Sequence, residues 1–328
     1  MMKHRWMRGA ALVLTAAMGL GLCGCSDTGA GSSQEDEERV KVVATNFALY
    51  DFARTIGGKN VEVELLLKPG TESHTYEPAP ADILRVKNSD IFLYVGGESE
   101  TWVTGMLQAL DEEKADSPRL DVAMMECVEA RAEEALPGIE EDEPEEEEGE
   151  EEEEYDEHIW TSPVNAQKMA LKIRDCYDRV DPANRSAYDG NYDDYKQKLV
   201  ELDSAFRKTV EEGKRKEIVF GDRFPFLYFV KEYGLTYYAA FPGCSSQTEA
   251  NAKTVAFLTG KVKEDGIPVV FHMELANESL CNILCEATGA QSQTFYACHN
   301  VTVEEYEEGK TYLDFMYENV ESLKKALN

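Results

Sequence analysis

Short apolar runs alternate along this chain with longer segments whose apolar residues recur at helical spacing. Runs such as 40–44 and 61–67 are rich in β-branched residues and predict buried strands. The first of the longer segments begins after Asn46, a helix-capping residue, and ends at the Gly57-Gly58 pair, which predicts a helix. Alternating strands and helices are typical of parallel βαβ units, so the pattern predicts an α/β fold.

The strand–helix series occurs twice, with a helical region between the two occurrences. Residues 39–163 are predicted to form an N-terminal lobe, residues 164–213 a linking helical region and residues 214–328 a C-terminal lobe. The predicted strands lie at 40–44, 61–67, 91–95, 119–122, 217–220, 236–241, 268–273 and 292–297. We therefore expect two Rossmann-like lobes with mostly parallel sheets, joined by a long rigid helix.

The first residues of the chain predict export. Residues 1–25 combine a basic start, an apolar segment too short to span a membrane and the sequence Leu22-Cys23-Gly24-Cys25, which resembles a bacterial lipobox. An ordinary signal peptide that contains cysteine is the alternative. Residues 26–38 are polar and rich in Gly and Ser, which predicts a flexible tether. We therefore expect a protein anchored through lipid on Cys25 to the outer face of the cytoplasmic membrane.

The charge of the chain is strongly negative and unevenly distributed. The net charge is −31, and the stretch 140–157 contains 15 acidic residues. Such a balance argues against nucleic acid or an anionic membrane surface as a partner. A run of this kind repels itself and cannot bury a core, so residues 137–157 are predicted to form a disordered loop. It is either a solubilising insertion or a weak collector of cations.

Six cysteines follow Cys25: Cys127, Cys176, Cys244, Cys281, Cys285 and Cys298. An even number outside the cell suggests structural disulfides, and six cysteines allow 15 pairings. A thiolate metal cluster is the alternative, although no CxxC pair is present to support it.

Three of the five histidines stand where open α/β folds bind ligands, beside the predicted carboxyl ends of strands or in loops. His74 lies in a Pro/Gly-rich loop, His158 lies at the end of the acidic run, and His299 follows the predicted strand 292–297. They are too far apart in sequence to form a local zinc motif, so their convergence depends on the fold. Of the others, His272 is predicted to be an interior histidine.

Several motifs occur in a fixed order from the first strand to the last helix. They are Val43-Ala44-Thr45-Asn46-Phe47, Pro69-Gly70 with His74 and Glu77-Pro78, Asp90-Ile91-Phe92 with Gly96-Gly97, Asp156-Glu157-His158-Ile159-Trp160 with Pro163, Tyr228-Phe229 with Tyr233-Gly234-Leu235, and Thr311-Tyr312-Leu313 with Asn319. Together they resemble the solute-binding lipoproteins of bacterial zinc and manganese ABC importers. The resemblance implies two α/β lobes with one metal ion in the cleft between them, and His74 and His158 as ligands.

One departure from the family pattern concerns the third ligand. Arg223 stands where the family has His or Glu, and a guanidinium stays protonated and cannot bind a metal ion. We hypothesise that His299 replaces the missing ligand and that Arg223 pairs with a nearby carboxylate. Glu274 is the predicted fourth ligand, with Asp222 as the alternative carboxylate. Three imidazoles and one carboxylate suit Zn²⁺ better than Mn²⁺, which prefers oxygen.

The expected function is capture and delivery of a metal ion rather than catalysis. The resemblance implies a monomeric, lipid-anchored receptor that passes Zn²⁺ to the permease and ATPase of an ABC importer. The alternatives are a surface adhesin or structural lipoprotein on the same fold, or a receptor for Mn²⁺. No nucleophile or general-base motif is evident, so we do not expect an enzyme.

Overall fold

The computed structural model describes residues 39–71, 76–112, 119–136, 154–243, 245 and 250–328. The predicted signal peptide with Cys25, the predicted tether, His74, most of the acidic run and Cys244 lie outside the described residues. No helix in the part of the chain that the structure describes is both long and apolar enough to cross a membrane.

The first lobe is a four-stranded parallel sheet covered by helices. Its strands are β1 (Val40–Ala44), β2 (Val61–Leu65), β3 (Ile91–Tyr94) and β4 (Leu120–Ala123), arranged in the order β2-β1-β3-β4. Its helices are α1 (Phe47–Gly57), α2 (Pro80–Lys87) and α3 (Thr101–Glu112). A short antiparallel pair, β5 (Arg131–Ala132) and β6 (Tyr155–Asp156), forms the base of the acidic insertion.

Two antiparallel helices connect the lobes. Helix α4 (Pro163–Val180) begins with Ser162 as its cap, and α5 (Arg185–Glu212) is the longest helix in the described ranges. The buried face of α5 includes apolar side chains at three- and four-residue spacing, which are Tyr188, Tyr192, Tyr195, Leu199, Leu202, Phe206 and Val210. This face packs on α1 and α4, so the linking helix is held along its length rather than spanning solvent.

The second lobe repeats the architecture of the first. Its strands are β7 (Glu217–Phe224), β8 (Thr236–Pro242), β9 (Val269–His272) and β10 (Gln291–Thr294), all parallel, in the order β10-β9-β7-β8. Its helices are α6 (Leu227–Tyr233), α7 (Ala252–Glu264), α8 (Ser279–Thr288), α9 (Val303–Glu307) and α10 (Tyr312–Ala326). The two parallel sheets confirm the predicted α/β class.

Helix α10 follows the second lobe in the chain and packs against the first lobe. Its first residue, Tyr312, is buried and packs edge-on against Phe52 with ring centroids 4.9 Å apart. The Tyr312 backbone N–H donates to Asp51 Oδ2 at 3.0 Å. The Tyr312 hydroxyl donates to the carbonyl oxygen of Trp160 at 2.7 Å, and the Trp160 indole N–H donates to Ala297 O at 2.7 Å. One hydrophobic core therefore runs through both lobes and the helices between them.

Two strands of the second lobe differ in length from the prediction. Strand β7 continues to Phe224 instead of ending at residue 220, because pairing with β8 resumes after a register shift between Phe220 and Arg223. Strand β10 ends at Thr294 instead of residue 297, because the Ala297 N–H donates to a carboxylate of Glu274 rather than to a strand. The pair β5–β6 and helix α9 were not predicted.

The described cysteines are free thiols. These are Cys127, Cys176, Cys281, Cys285 and Cys298. The Cys127 thiol donates to Met124 O at 2.9 Å, and the buried Cys281 thiol lies 3.4 Å from Val270 O. Thiols of this kind pack as small apolar groups in a core that is large enough to be stable without cross-links. The expectation of structural disulfides is wrong for these five residues.

The contact between Tyr312 and Trp160 predicts a measurable loss of stability when it is removed. Replacing Tyr312 by Phe leaves the Trp160 carbonyl buried without this donor, so the free energy of unfolding should fall by about 1–2 kcal/mol. Urea unfolding followed by circular dichroism measures the change. Tyr317→Phe, on the exposed face of the same helix, is the matched control and should change the free energy by less than about 0.5 kcal/mol. Equal effects of the two substitutions would contradict the assigned role of the hydroxyl.

Candidate metal centre

His158 lies in the loop between β6 and α4, where it is completely buried. Its backbone N–H donates to Asp156 Oδ1 at 2.7 Å, and its ring atom Nδ1 lies 3.2 Å from the same oxygen. A carboxylate at Nδ1 favours the tautomer that carries its proton there and leaves Nε2 as the electron-pair donor. Burial lowers the pKa of His158, but the Asp156 carboxylate outweighs this and holds the pKa above its ordinary value.

The loop that carries His158 is held from the second lobe. The Tyr228 hydroxyl donates to Asp156 O at 2.8 Å and accepts the Arg131 N–H at 3.1 Å, so one hydroxyl joins both strands of the β5–β6 pair. The Thr161 hydroxyl donates to His158 O at 2.8 Å and fixes the following turn. The orientation of the imidazole therefore depends on contacts from both lobes.

His299 approaches His158 from the second lobe, on the segment that follows β10. The two ring centroids are 5.6 Å apart with an interplanar angle of 79°. Trp160 lies against both rings, at 5.0 Å from His299 and 5.4 Å from His158. Two imidazoles that bind one tetrahedral Zn²⁺ through nitrogens at about 2.0–2.1 Å have centroids about 5 Å apart. The observed pair is thus spaced as two ligands of one ion.

Glu274 follows β9 and supports the segment that carries His299. Its Oε2 accepts the Ala297 N–H at 2.7 Å, and its Oε1 accepts the His299 N–H at 3.2 Å. Burial raises the pKa of Glu274 to about 8, and the main-chain N–H donors only partly oppose this. Both carboxylate oxygens are therefore directed at backbone amides of this segment.

Two residues with strained backbone lie next to Glu274 and His299. Leu275, which follows Glu274, has a φ of 60°, and Cys298, which precedes His299, has a φ of 59°. Among the described residues, they are the two that adopt the left-handed region without being glycine. Such conformations cost free energy and persist where surrounding contacts enforce them, which often marks a functional site.

Asp222 and Arg223 lie in the last part of β7. Asp222 Oδ1 accepts the Arg223 N–H at 2.8 Å, and its Oδ2 accepts the Met273 N–H at 2.9 Å. Burial raises the pKa of Asp222, while these backbone donors and the Arg223 charge oppose the rise. Asp222 therefore connects β7 to the end of β9, as Glu274 connects β9 to the segment after β10.

A small cavity lies between the lobes. Its volume is ≈ 30 Å³, and its lining includes His158, Arg223, Glu274, His299 and Asn300. This is enough space for a water-sized ligand. The cavity can therefore hold a single ion.

The structure brings some of the predicted site residues together and does not describe others. His158 and His299 come together, and Arg223 and Glu274 line the same cavity. His74 lies outside the described residues, and within the described ranges no set of three or more His, Cys, Asp or Glu side chains is placed to hold a metal ion. His272 is buried, with Nδ1 3.0 Å from Met273 O, as expected of an interior histidine.

Sequence reasoning named Asp156 and Trp160 only as members of the motif around His158, without a role, and it missed Asn300. Asp156 and Trp160 each stand two positions from His158, and Asn300 is adjacent to His299. Their proximity to candidate ligands was the available signal, but their contacts depend on the tertiary structure.

Comparison with known families gives one match over most of the chain. The family model described as "Zinc-uptake complex component A periplasmic" matches residues 42–326. The zinc-binding lipoprotein AdcA of Streptococcus pneumoniae (strain R6) is 30% identical over 322 residues, which cover 98% of this chain and 61% of AdcA. The chain thus spans less than two thirds of that relative. The high-affinity zinc uptake system protein ZnuA of Bacillus subtilis is 31% identical over 320 residues, covering 97% of this chain and 95% of the relative.

Solved structures show the same fold. The Zn(II)-bound ZnuA-like domain of Streptococcus pneumoniae AdcA superposes with a TM-score of 0.70 at 28% identity, covering 88% of this chain and 99% of that domain. The metal-dependent lipoprotein YcdH of Bacillus subtilis gives 0.71 at 28% identity, covering 88% and 100%. The laminin-binding adhesin Lmb of Streptococcus agalactiae gives 0.74 at 20% identity over 88% of this chain and 100% of Lmb, a likeness of fold alone.

The contact between Asp156 and His158 predicts the effect of removing one charge. Asp156→Asn keeps a hydrogen-bond acceptor but loses the carboxylate that raises the pKa of His158, so this pKa should fall. Nuclear magnetic resonance titration of the imidazole measures this pKa in the metal-free protein. His272 in the same spectra is an internal control and should be unchanged. An unaltered His158 pKa in the variant would show that another group sets it.

Proposed function

We propose that this chain, which belongs to the periplasmic zinc-uptake component A family, captures Zn²⁺ between its two lobes and delivers it to an ABC importer. The family is a metal-binding component of transport and not an enzyme family, which confirms the expectation that the chain is not an enzyme. The relatives named above are zinc-binding or zinc-uptake proteins, and this supports zinc as the transported ion.

The observation that carries the proposal is the pair of imidazoles from different lobes. His158 and His299 have a ring separation close to that of two ligands of one tetrahedral ion, and the adjoining cavity has room for an ion. Nitrogen donors favour Zn²⁺ over Mn²⁺, for which oxygen donors are preferred. A manganese receptor is therefore the less favoured alternative.

The proposed ligands are His74, His158 and His299. His74 is proposed as a ligand because it stands in the family motif, and it lies outside the described residues. Glu274 stays the predicted fourth ligand, with Asp222 as the alternative carboxylate. A water molecule in the fourth position is the other alternative, because the oxygens of both carboxylates accept backbone N–H groups. Arg223 lines the cavity as a fixed positive charge.

The described residues prepare the site for reversible coordination. Asp156 holds the Nδ1 side of His158, so that Nε2 is the atom available to a metal ion. Trp160 packs against both imidazoles and restricts their rotation. Binding needs only neutral imidazoles and no covalent step, as expected of a protein that must later release its ion.

We place the mature protein outside the cytoplasmic membrane, attached through lipid on Cys25 and monomeric. The lipobox-like sequence supports the anchor, and the Streptococcus pneumoniae relative is itself named a lipoprotein. The permease and ATPase of an importer are the proposed partners, since the Bacillus subtilis relative is named as part of an uptake system. An adhesin or structural role rests on a likeness of fold alone and is less favoured.

Isothermal titration calorimetry tests the proposed ligands. His158→Ala and His299→Ala should each weaken Zn²⁺ binding by more than about 100-fold, because even residues that only orient a ligand contribute about 10- to 100-fold. His272→Ala, which alters a buried histidine away from the imidazole pair, is the control and should bind Zn²⁺ as the unaltered protein does. Unchanged affinity of His299→Ala would reject His299, and unchanged affinity of both variants would reject the site.

Removal of the ion should lower the thermal stability. A ligand that binds only the folded state stabilises it by about 2.7 kcal/mol at a free concentration of 100 times its Kd. The unfolding temperature should therefore fall on dialysis against a chelator and return on addition of Zn²⁺. Recovery with Mn²⁺ but not with Zn²⁺ would instead identify a manganese receptor.

A further inference from the structure

We propose that the outer edge of strand β10 is a docking site for an extended segment of a partner protein that carries Lys or Arg at alternate positions. Such a segment adds to the sheet of the second lobe as a further strand. The site uses none of the residues proposed to bind Zn²⁺. It is therefore an interaction surface in addition to the metal centre.

Strand β10 lies at the end of its sheet and is paired on one side only. The N–H groups of Gln291 and Phe295 donate to carbonyl oxygens at the two ends of β9, at 2.8 and 2.9 Å. Because the main-chain groups of successive residues point to opposite sides of a strand, those of Ser292 and Thr294 point away from β9. This edge therefore presents main-chain groups that face no strand of the described sheet.

Helix α10 closes one end of this edge and leaves the rest accessible. Asn319 Oδ1 accepts the Tyr296 N–H at 2.7 Å, and its Nδ2 donates to Tyr296 O at 2.8 Å, as a neighbouring strand would. Over the strand itself, Gln293 Nε2 donates to Ser292 O at 2.8 Å, and Lys325 Nζ donates to Gln293 Oε1 at 2.8 Å. These are side-chain contacts at the surface, and an arriving strand can replace them.

A groove of ≈ 780 Å³ follows the same edge. Pockets of this size hold ligands as large as a drug molecule, so the groove has room for side chains of a bound strand. Tyr317 of α10 lines it and is 41% exposed, which offers an aromatic surface to aliphatic groups. The charged residues of the lining are four carboxylates and a single lysine: Glu278, Asp314, Glu318, Glu321 and Lys325.

The charge of the groove decides between possible occupants. Within the described ranges, no three of these carboxylates are placed to hold a metal ion, so we expect the positive charge on side chains rather than as a bare ion. A second copy of this chain brings the same acidic groove and a net charge of −31, which opposes pairing of two β10 edges. A basic extended segment supplies both main-chain partners for the edge and cations for the groove.

Nuclear magnetic resonance of the isotope-labelled protein tests the proposal with a blocked peptide of alternating lysine and valine. The peptide has about eight residues, the length of an ordinary strand, and its lysines all lie on one face. It should bind with a Kd below about 1 mM, shift the amide signals of Ser292 and Thr294 and slow their hydrogen exchange.

Two altered peptides separate the contributions of charge and of the main chain. Glutamate in place of lysine should weaken binding by about tenfold or more, because the groove is acidic. Proline in place of valine should do the same, because proline has no N–H to donate to the edge. Raising the ionic strength from about 0.01 M to about 1 M shortens the screening length from about 30 Å to about 3 Å and should weaken the lysine peptide.

Two variants test the edge and the groove in the protein. Thr294→Pro removes an N–H that points away from β9, so the bonds within the sheet remain. Glu321→Lys reverses one charge of the groove. Each should weaken the lysine peptide by about fivefold or more. Glu264→Lys, at an exposed carboxylate of α7 outside the groove lining, is the matched control and should stay within about twofold.

Each remaining result decides for or against the proposal. Absence of binding by the lysine peptide, or equal binding of the proline peptide, overturns it, and so does an unchanged Kd in Glu321→Lys. Shifts of the Ser292 and Thr294 signals on raising the protein concentration alone would identify a second copy as the occupant and also overturn it. If circular dichroism shows that Thr294→Pro does not fold, Glu321→Lys decides. Zn²⁺ affinity should be unaltered in all three variants, so failure of Zn²⁺ binding in the unaltered protein overturns only the proposed function.

Discussion

The site depends on how one short segment between the lobes satisfies its main-chain hydrogen bonds. Residues 297–301 follow β10 and belong to no strand of the described sheets, yet buried N–H and C=O groups need partners. Glu274 of the second lobe accepts the N–H groups of Ala297 and His299. The first lobe supplies donors from Phe47 and Gly70. The same bonds that satisfy the segment bring His299 to His158.

Carboxylates around this site accept hydrogen bonds from backbone N–H groups and from the imidazole of His158. Asp156 binds the backbone and ring of His158, Asp222 binds the backbone between β7 and β9, and Glu274 binds the segment of His299. A carboxylate that accepts hydrogen bonds from fixed N–H groups is held in one place and is less available to an ion. The acidic composition of the chain therefore does not by itself create a metal site. The carboxylates determine where the two imidazoles of the proposed site lie.

The sequence predicts the strands and helices, because local patterns determine them. It does not predict contacts between residues that are far apart in the chain. Strand and helix positions follow from the alternation of apolar and polar residues, and the order of motifs indicates the family. The contact between His158 and His299 joins residues 141 positions apart, so no spacing rule contains it. Glu274 and Asn300 bond to backbone groups of other segments, which a side-chain pattern does not show. The disulfide expectation rested on the predicted location outside the cell and on an even number of cysteines, whereas the five described cysteines are free thiols, three of them buried.

The shared core limits the kind of motion that can release an ion. Phe52 of the first lobe, Tyr195 of α5 and Tyr312 of α10 pack into one cluster, and opening the whole cleft would expose part of it to water. Rotation of entire lobes is therefore costly, whereas the segment that carries His299 is held by individual hydrogen bonds. Each of these contributes only about 0.5–1.5 kcal/mol and can break singly. On the proposed function, local movement of this segment is therefore less costly than rotation of a lobe, and the linking helices keep His158 and His299 in register.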